Sequence, residues 1–570
     1  MLVAAAAVLV LPAAAAAERT SVGLMPRVEY VKDVRSVGGK RVVFHIALGP
    51  KPGGLYDLEP VLSNNTLTGV ETLTRMQRRV MPRANVVGVN GDFFNWDPGT
   101  PNGIFVRRGQ LLATPHAHRS SLGIGLDAVL RLDFLRYEGT FQVGPAPSHN
   151  LREFNRRLRR DDGFALFSRA WGSRTPTARR THELILKNMG RTLPNRDRAA
   201  TAVRVVKGSG HSIPDGGAIL QARGTARAHL GAEAAPGLAF SFRLGLENWW
   251  DGATAAIGGG PRLVAGGNVV YDRGAEWFTS DQLDLRHPRT AVGQRADGRI
   301  VLLVADGRSN ASAGLTMNQL AKAMVHYGAE RAMALDGGGS TGLAFNGSVL
   351  NRPSDGHERA LANSLQLVYI GAYARKPRRE VFSPNGDGYR DGQRLYARFV
   401  RRSDVHLRLI RPNGEVKWEK RDRWGPRTFA KDLGPRLRAE GRWRWVVAGT
   451  DMQGRDSQMT RRFRVNNTLG FLDLSTRSMR VRRGRGGHLR IGFRLFHAAD
   501  TRVVVERRGK VVRHLVSRND LGRGAYAVIW NGKTDGGRVV RSGKFTAVVR
   551  AHNGLGRIDL RESFSVERVS

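Results

Sequence analysis

The sequence predicts an α+β domain of mixed α/β character, with a βαβ unit at its site, followed by two all-β sandwiches. Three observations predict it. A strand–helix–strand pattern with short joints runs from residue 299 to 336. From residue 382 onward, short alternating strands are separated by frequent glycine turns. A basic, proline-containing stretch at 374–381 divides the two regions.

Residues 299–306 form a short, continuous apolar run that ends in Asp306, as a buried strand does. Residues 316–327 place Met317, Leu320, Ala321, Met324 and Val325 at helical spacing; Thr316 and Gln319 make a capping box, and Gly328 is placed to end the helix. A second strand at 331–336 follows at once. Short joints imply a crossover between parallel strands, so Asp306 and Asp336 are expected at one sheet edge, the edge where open sheets place ligands.

A chain of 570 residues has material for several domains, and with no cysteine it has neither disulfides nor thiolate metal sites. Residues 1–17 are mostly Ala, Val and Leu before Glu18, which suits an export segment, although a basic n-region is missing. No later segment is long and apolar enough for a stable membrane span. The expectation is a secreted or wall-associated protein. A formal charge of +43, spread along the chain, favours anionic partners such as phosphate-rich wall polymers. The arginines form no recognised nucleic-acid motif, so specific nucleic-acid binding is not expected; solvated basic faces account for the charge equally well.

In chain order, residues 41–48 read as a strand. Residues 68–81 read as a helix with a Thr68/Glu71 capping box, and 85–90 as a buried strand running into Gly91-Asp92-Phe93-Phe94. Strand patterns recur at 131–135, 201–206 and 238–246 around a polar, Arg-rich stretch at 150–198. Trp249 and Trp250 suit core packing, or a sugar-stacking pair. Residues 363–369 form a closing strand, which makes 19–373 one domain and 374–381 a linker. The β-rich remainder splits into 382–466 and 467–570. Its first module opens with Asn385, Asp387 and Asp391 at the alternating spacing of a calcium loop; a tight turn without metal is the equal alternative.

The motifs Asn90-Gly91-Asp92-Phe93-Phe94, Pro101-Asn102-Gly103, Arg119-Ser120-Ser121, Gly258-Gly259-Gly260-Pro261, Arg289-Thr290-Ala291 and Asp306-Gly307-Arg308 follow in order. Asp336-Gly337-Gly338-Gly339-Ser340-Thr341, Asn351-Arg352-Pro353, Glu358-Arg359 and Asn363 complete the set. In this order and strand context, residues from about 40 to 371 resemble the phosphodiester glycosidase domain family. Asp92 departs from the family pattern, where a glycine is common. The later modules resemble immunoglobulin-like repeats of bacterial surface proteins, and residues 530–545 are similar to the Ig-like domain of the flagellar hook-capping protein.

The resemblance implies hydrolysis of a sugar-1-phosphodiester, such as an N-acetylglucosamine phosphodiester. Asp306, Asp336 and Glu358 are the carboxylates available as base, nucleophile or acid. Arg289, Arg308 and Arg359 offer forked donors for phosphate. Gly337, Gly338 and Gly339 offer backbone N–H groups for an anion nest, and Asn90, Ser340, Thr341 and Asn363 complete the substrate contacts. Asp-Gly pairs after strands are equally often plain turns, and Asp306 with Asp336 also suits a hard cation such as calcium. The alternative function is a non-catalytic surface protein that binds anionic wall polymers through its basic face and Ig-like modules.

Overall fold

The computed structural model describes residues 18–569, apart from 435, 436, 438, 483 and 484. The export reading of residues 1–17 lies outside them. The chain divides into two compact units between residues 370 and 371.

The α+β expectation is overturned. Strand accounts for 54% of the structure and helix for 7%. The strand–helix–strand unit does exist, with helix Met317–His326 between strands Ile300–Ala305 and Ala329–Leu335. Those strands run the same way but are not neighbours. Strand Arg289–Arg295 lies between them and pairs antiparallel with both. They belong to an eight-stranded sheet whose ladders are all antiparallel.

The misreading has a physical source. A continuous apolar run marks a strand buried on both faces, the usual state in a parallel sheet. Here the same double burial arises in an antiparallel one. Val301, Leu303 and Ala305 pack with Met317, Leu320, Ala321 and Met324 of the helix. Leu302 and Val304, on the opposite face, are equally buried. On that side lies strand Asn85–Asn90 of a second, five-stranded sheet.

The helix starts and stops as its sequence dictates. Thr316 and Gln319 form the capping box, Tyr327 is the C-cap, and Gly328 follows with φ +82°. The expected helix at 68–81 is shorter, Leu73–Val80, and its cap is Thr72. Thr68 instead donates to the Trp171 carbonyl, and Glu71 pairs with Arg79.

Residues 137–246 build a closed seven-stranded barrel, whose core holds Phe141, Phe154, Phe164, Leu184, Phe240 and Trp250. Trp250 is thus a core residue; the Trp249 side chain is outside the described set. The Arg-rich stretch supplies the barrel strands Gly163–Ser168 and Thr181–Lys187.

The second unit holds two sandwiches, each a three-stranded sheet with a five-stranded one. Strands Tyr373–Ala374 and Val381–Phe382 already belong to the first of them. Trp443 and Trp445 anchor its core, and Trp530 anchors the second; each indole N–H donates to a backbone carbonyl. At the expected calcium loop, Asp391 accepts the N–H groups of Gly386 and Gly388. Asp387 accepts those of Tyr389 and Phe471, and Asn385 accepts that of Asp387. Apart from the bond to Phe471, these oxygens close a turn on its own backbone. No helix among the described residues is long and apolar enough to cross a membrane.

Double burial of the central strand sets a contrast in stability. Leu303→Ala is expected to lower first-unit stability by about 2–5 kcal/mol. Leu126→Ala, at a side chain 93% exposed, should change it by less than about 0.5 kcal/mol. Calorimetric unfolding of the two variants measures the difference.

Candidate active site

The site is built where two strand ends meet. Strand Asn85–Asn90 runs into Gly91 and Asp92, and strand Ala329–Leu335 runs into Asp336 and the glycine loop. Asn90 staples the two. Its Nδ2 donates to the Asp336 carbonyl at 2.6 Å, while its Oδ1 accepts from Thr290 Oγ1 at 2.7 Å and the Gly342 N–H at 3.1 Å. The Asp336 N–H donates to the Gly91 carbonyl at 3.1 Å, and the Asp92 N–H donates to Asn363 Oδ1 at 2.8 Å. Residue 91 must be glycine, because a Cβ there would fall on the Asn363 carboxamide.

Asp336 lines a cleft of about 300 Å³ with Phe93, Phe278, Arg308 and Arg359. Burial pushes its carboxyl up to about 6, against the Ser340 hydroxyl, the Gly337 N–H at 2.8 Å and the cations Arg359 and Arg119, which hold it lower. Asp92 lies behind it, only 2% exposed. Burial likewise pushes Asp92 up to about 6; the Gly103 N–H at 2.5 Å and the cations Arg119 and Arg156 oppose this, and the Asp336 charge adds to it.

Arg119 is a cation whose charge acts on both carboxyls. Its guanidinium lies 4.9 Å from the Phe93 ring centre and 4.4 Å from that of Phe278. It donates to the Trp277 carbonyl at 3.2 Å, yet its Nε and one terminal nitrogen are buried without a hydrogen-bond partner among the described residues. The same is true of Asp92 Oδ1, Asn363 Nδ2 and the hydroxyls of Ser121 and Thr341. Buried polar atoms are nearly always paired, so this concentration is a functional signal. Arg119 also lines a second cleft of about 300 Å³, with Asn102, His116, Arg156, Arg157 and Arg159. There burial and the surrounding cations pull His116 down to about 4.

Asp306 and Glu358 face elsewhere, whereas Arg289 lines the cleft with its guanidinium spent on backbone carbonyls. Asp306 leaves the same sheet edge as Asp336, but its oxygens meet His45 Nε2 at 3.0 Å, the Arg352 N–H at 3.1 Å and Asn351 Nδ2 at 3.3 Å. Tyr30 completes that buried chain at 2.7 Å from His45 Nδ1, and its hydroxyl is pushed up to about 12 by burial and by Asp306. Glu358 caps helix Leu73–Val80 by accepting the Thr74 N–H and hydroxyl at 3.0 and 2.6 Å. Arg289 is buried and donates to the carbonyls of Gln282, Leu285 and Leu315. It therefore ties down the end of helix Ser280–Asp284.

The glycine loop shapes the cleft more than it offers a nest. The Gly337 N–H is taken by Asp336 and that of Gly338 by the Pro288 carbonyl. Gly338 needs its φ of +59°, and a Cβ at Gly339 would collide with the Arg359–Asp355 pair. Arg359 lies 5.1 Å from the ring centre of Trp96, and exposed Arg308 meets His287 Nδ1 at 3.1 Å.

Asp92, Arg119, Phe278 and Arg156 are the site residues that sequence reasoning missed. Asp92 and Arg119 sit inside the Asn90–Phe94 and Arg119–Ser121 motifs. Arg156 comes from the barrel and holds the Asn102, Gly103 and Thr114 carbonyls. No local pattern marks it.

A carboxyl raised from its ordinary 3.8 to about 6 costs folding free energy as pH rises through that interval, because only the folded state still holds the proton. The cost is absent below about pH 4, grows to about pH 6 and is constant above. Asp92→Asn should therefore raise the first unit's melting temperature at pH 7.5 and leave it nearly unchanged at pH 3.5. Thermal melts at the two pH values read this. Equal shifts at both would mean that Asp92 is not protonated by its burial.

The comparisons with known proteins bear on the same region. Residues 196–368 match the family model described as phosphodiester glycosidase. The SPbeta prophage-derived uncharacterized protein YomE of Bacillus subtilis (strain 168) is 41% identical over 97 residues, 17% of this chain and 15% of that protein. The N-acetylglucosamine-1-phosphodiester alpha-N-acetylglucosaminidase of Mus musculus is 37% identical over 67 residues, 12% of this chain and 13% of that protein. The chain thus spans less than a sixth of either curated relative. A crystal structure of a hypothetical protein from Synechocystis shares the fold, with a TM-score of 0.54 and 20% identity over 62% of this chain and 64% of that one. Residues 196–368 carry a phosphodiester glycosidase family domain.

Proposed function

We propose that the first unit hydrolyses a sugar-1-phosphodiester in the Asp336 cleft. The observation that carries this is the pairing of a raised carboxyl, Asp336, with Arg359 and Arg308 in one cleft. A phosphodiester brings negative charge, which the arginines would match through forked N–H donors. The anomeric carbon would lie beside Asp336. Phosphate departs readily, so cations at the leaving group supply most of what a general acid supplies in ordinary glycosides.

In this reading Asp336 works in its ionised form, as base or nucleophile. Asp92 does not line the cleft and serves as a positioning residue, since its charge and that of Asp336 are felt together with Arg119. The second, Arg-rich cleft is where the other half of the diester would extend. The matched family domain and the mouse relative named for an N-acetylglucosamine-1-phosphodiester support this substrate class. Export and contact with anionic wall polymers fit the Ala-rich start and the +43 charge.

The wild-type chain should release sugar from an N-acetylglucosamine-1-phosphodiester, and Asp336→Asn should lower kcat/KM by about 10²–10⁴-fold. The rate should rise with pH through about 6 and then level, following the Asp336 carboxyl. A rate that falls through the same range would assign Asp336 to proton donation instead. Wild-type inactivity across a panel of sugar-1-phosphodiesters would favour the non-catalytic, polymer-binding alternative.

A further inference from the structure

The barrel carries a side-chain cluster that the cleft chemistry does not use. His229 and Glu233 stand one turn apart on helix Ala226–Glu233, and so share a face. His149 opens the barrel strand His149–Phe154 beneath them. Glu233 Oε2 lies 2.7 Å from His149 Nε2, and Oε1 lies 3.2 Å from His229 Nδ1. One ligand atom from each of the three lies within 4.8 Å of the others.

We infer that His149, His229 and Glu233 form a binding site for a divalent transition-metal ion of the zinc type. A tetrahedral ion with bonds near 2.1 Å holds its ligand atoms about 3.4 Å apart. The three atoms lie within 4.8 Å of one another, so small side-chain adjustments reach that spacing. Two imidazoles and one carboxylate, with a fourth position left for water, form a donor set that selects zinc-like ions over calcium or magnesium.

The surroundings fix two of the ligands and leave the third accessible. The His149 ring packs against the Phe141–Phe164 pair, with ring centres 5.4 Å away in each case. Ala226 and Leu230 of the helix are buried in the barrel core, which sets the helix against the strand. The side chains of His149 and Glu233 are 16% and 17% exposed, and that of His229 is 58% exposed. An ion can enter from the His229 side. Without metal, Glu233 accepts an imidazole N–H on each side. With metal, each neutral imidazole carries its proton on the other nitrogen and gives the lone pair to the ion.

The test uses the full chain, stripped with chelator and titrated with Zn²⁺ in a calorimeter. One equivalent should bind and raise the melting temperature. His229→Ala, at an exposed position, should remove that equivalent and the thermal gain. Glu233→Gln should weaken binding by at least about 10–100-fold. Co²⁺ in place of Zn²⁺ should give the visible absorption of a low-coordinate site in the wild type and lose it in His229→Ala. No bound Zn²⁺, the same Zn²⁺ affinity in both variants, or equal affinity for Ca²⁺ would each overturn the assignment.

Discussion

Asn90 sits where the eight-stranded sheet and the five-stranded sheet of strand Asn85–Asn90 face one another, fully buried, with both ends of its carboxamide in use. One end holds the carbonyl of Asp336; the other holds Thr290 and the far end of the glycine loop. A hydrocarbon side chain at this position would strand those partners, at about 1–3 kcal/mol for each buried group left unsatisfied. The position of Asp336 in the cleft therefore depends on a residue that never reaches the cleft. Gly91 and Asn363 extend the same lock to Asp92, and Arg156 extends it to the loop at Asn102 and Gly103.

That lock supports an arrangement unfavourable for folding alone. Two carboxyls are raised by burial, and a stacked guanidinium keeps part of its donor set unsatisfied within the fold. Such groups persist when the structure around them over-determines their positions. The surrounding sheets do so, because strand Ile300–Ala305 is buried on both faces and strand Arg289–Arg295 is hydrogen-bonded on both edges. Stability invested in the antiparallel sheet maintains a costly polar cluster at its rim, as expected where stability and function compete.

Much of the local structure was legible in the sequence. The Thr316 capping box, the stop at Gly328 and the apolar run before Asp306 are local signals, and the structure honours each. Strand partners are not local signals. Whether Ile300–Ala305 pairs with Ala329–Leu335 directly or through Arg289–Arg295 depends on contacts that no window of residues encodes. The same limit hid the barrel, whose closure joins Tyr137–Val143 to Ala239–Leu246 across a hundred residues of strand and loop. At the candidate site, Asp336, Arg308 and Arg359 carry a motif signal and also line one cleft. Asp306, Glu358 and Arg289 carry the same motif signal, but their partners are His45, Thr74 and backbone carbonyls. A motif marks a residue that the fold needs; it does not say whether the need is packing or chemistry.

The most direct test of the central claim is a crystal structure of the Asp336→Asn chain soaked with a sugar-1-phosphodiester. The account predicts the phosphate within hydrogen-bond reach of Arg359 and Arg308, with the anomeric carbon facing residue 336. A diester bound in the sandwich unit, or a cleft that stays empty at saturating ligand, would contradict it.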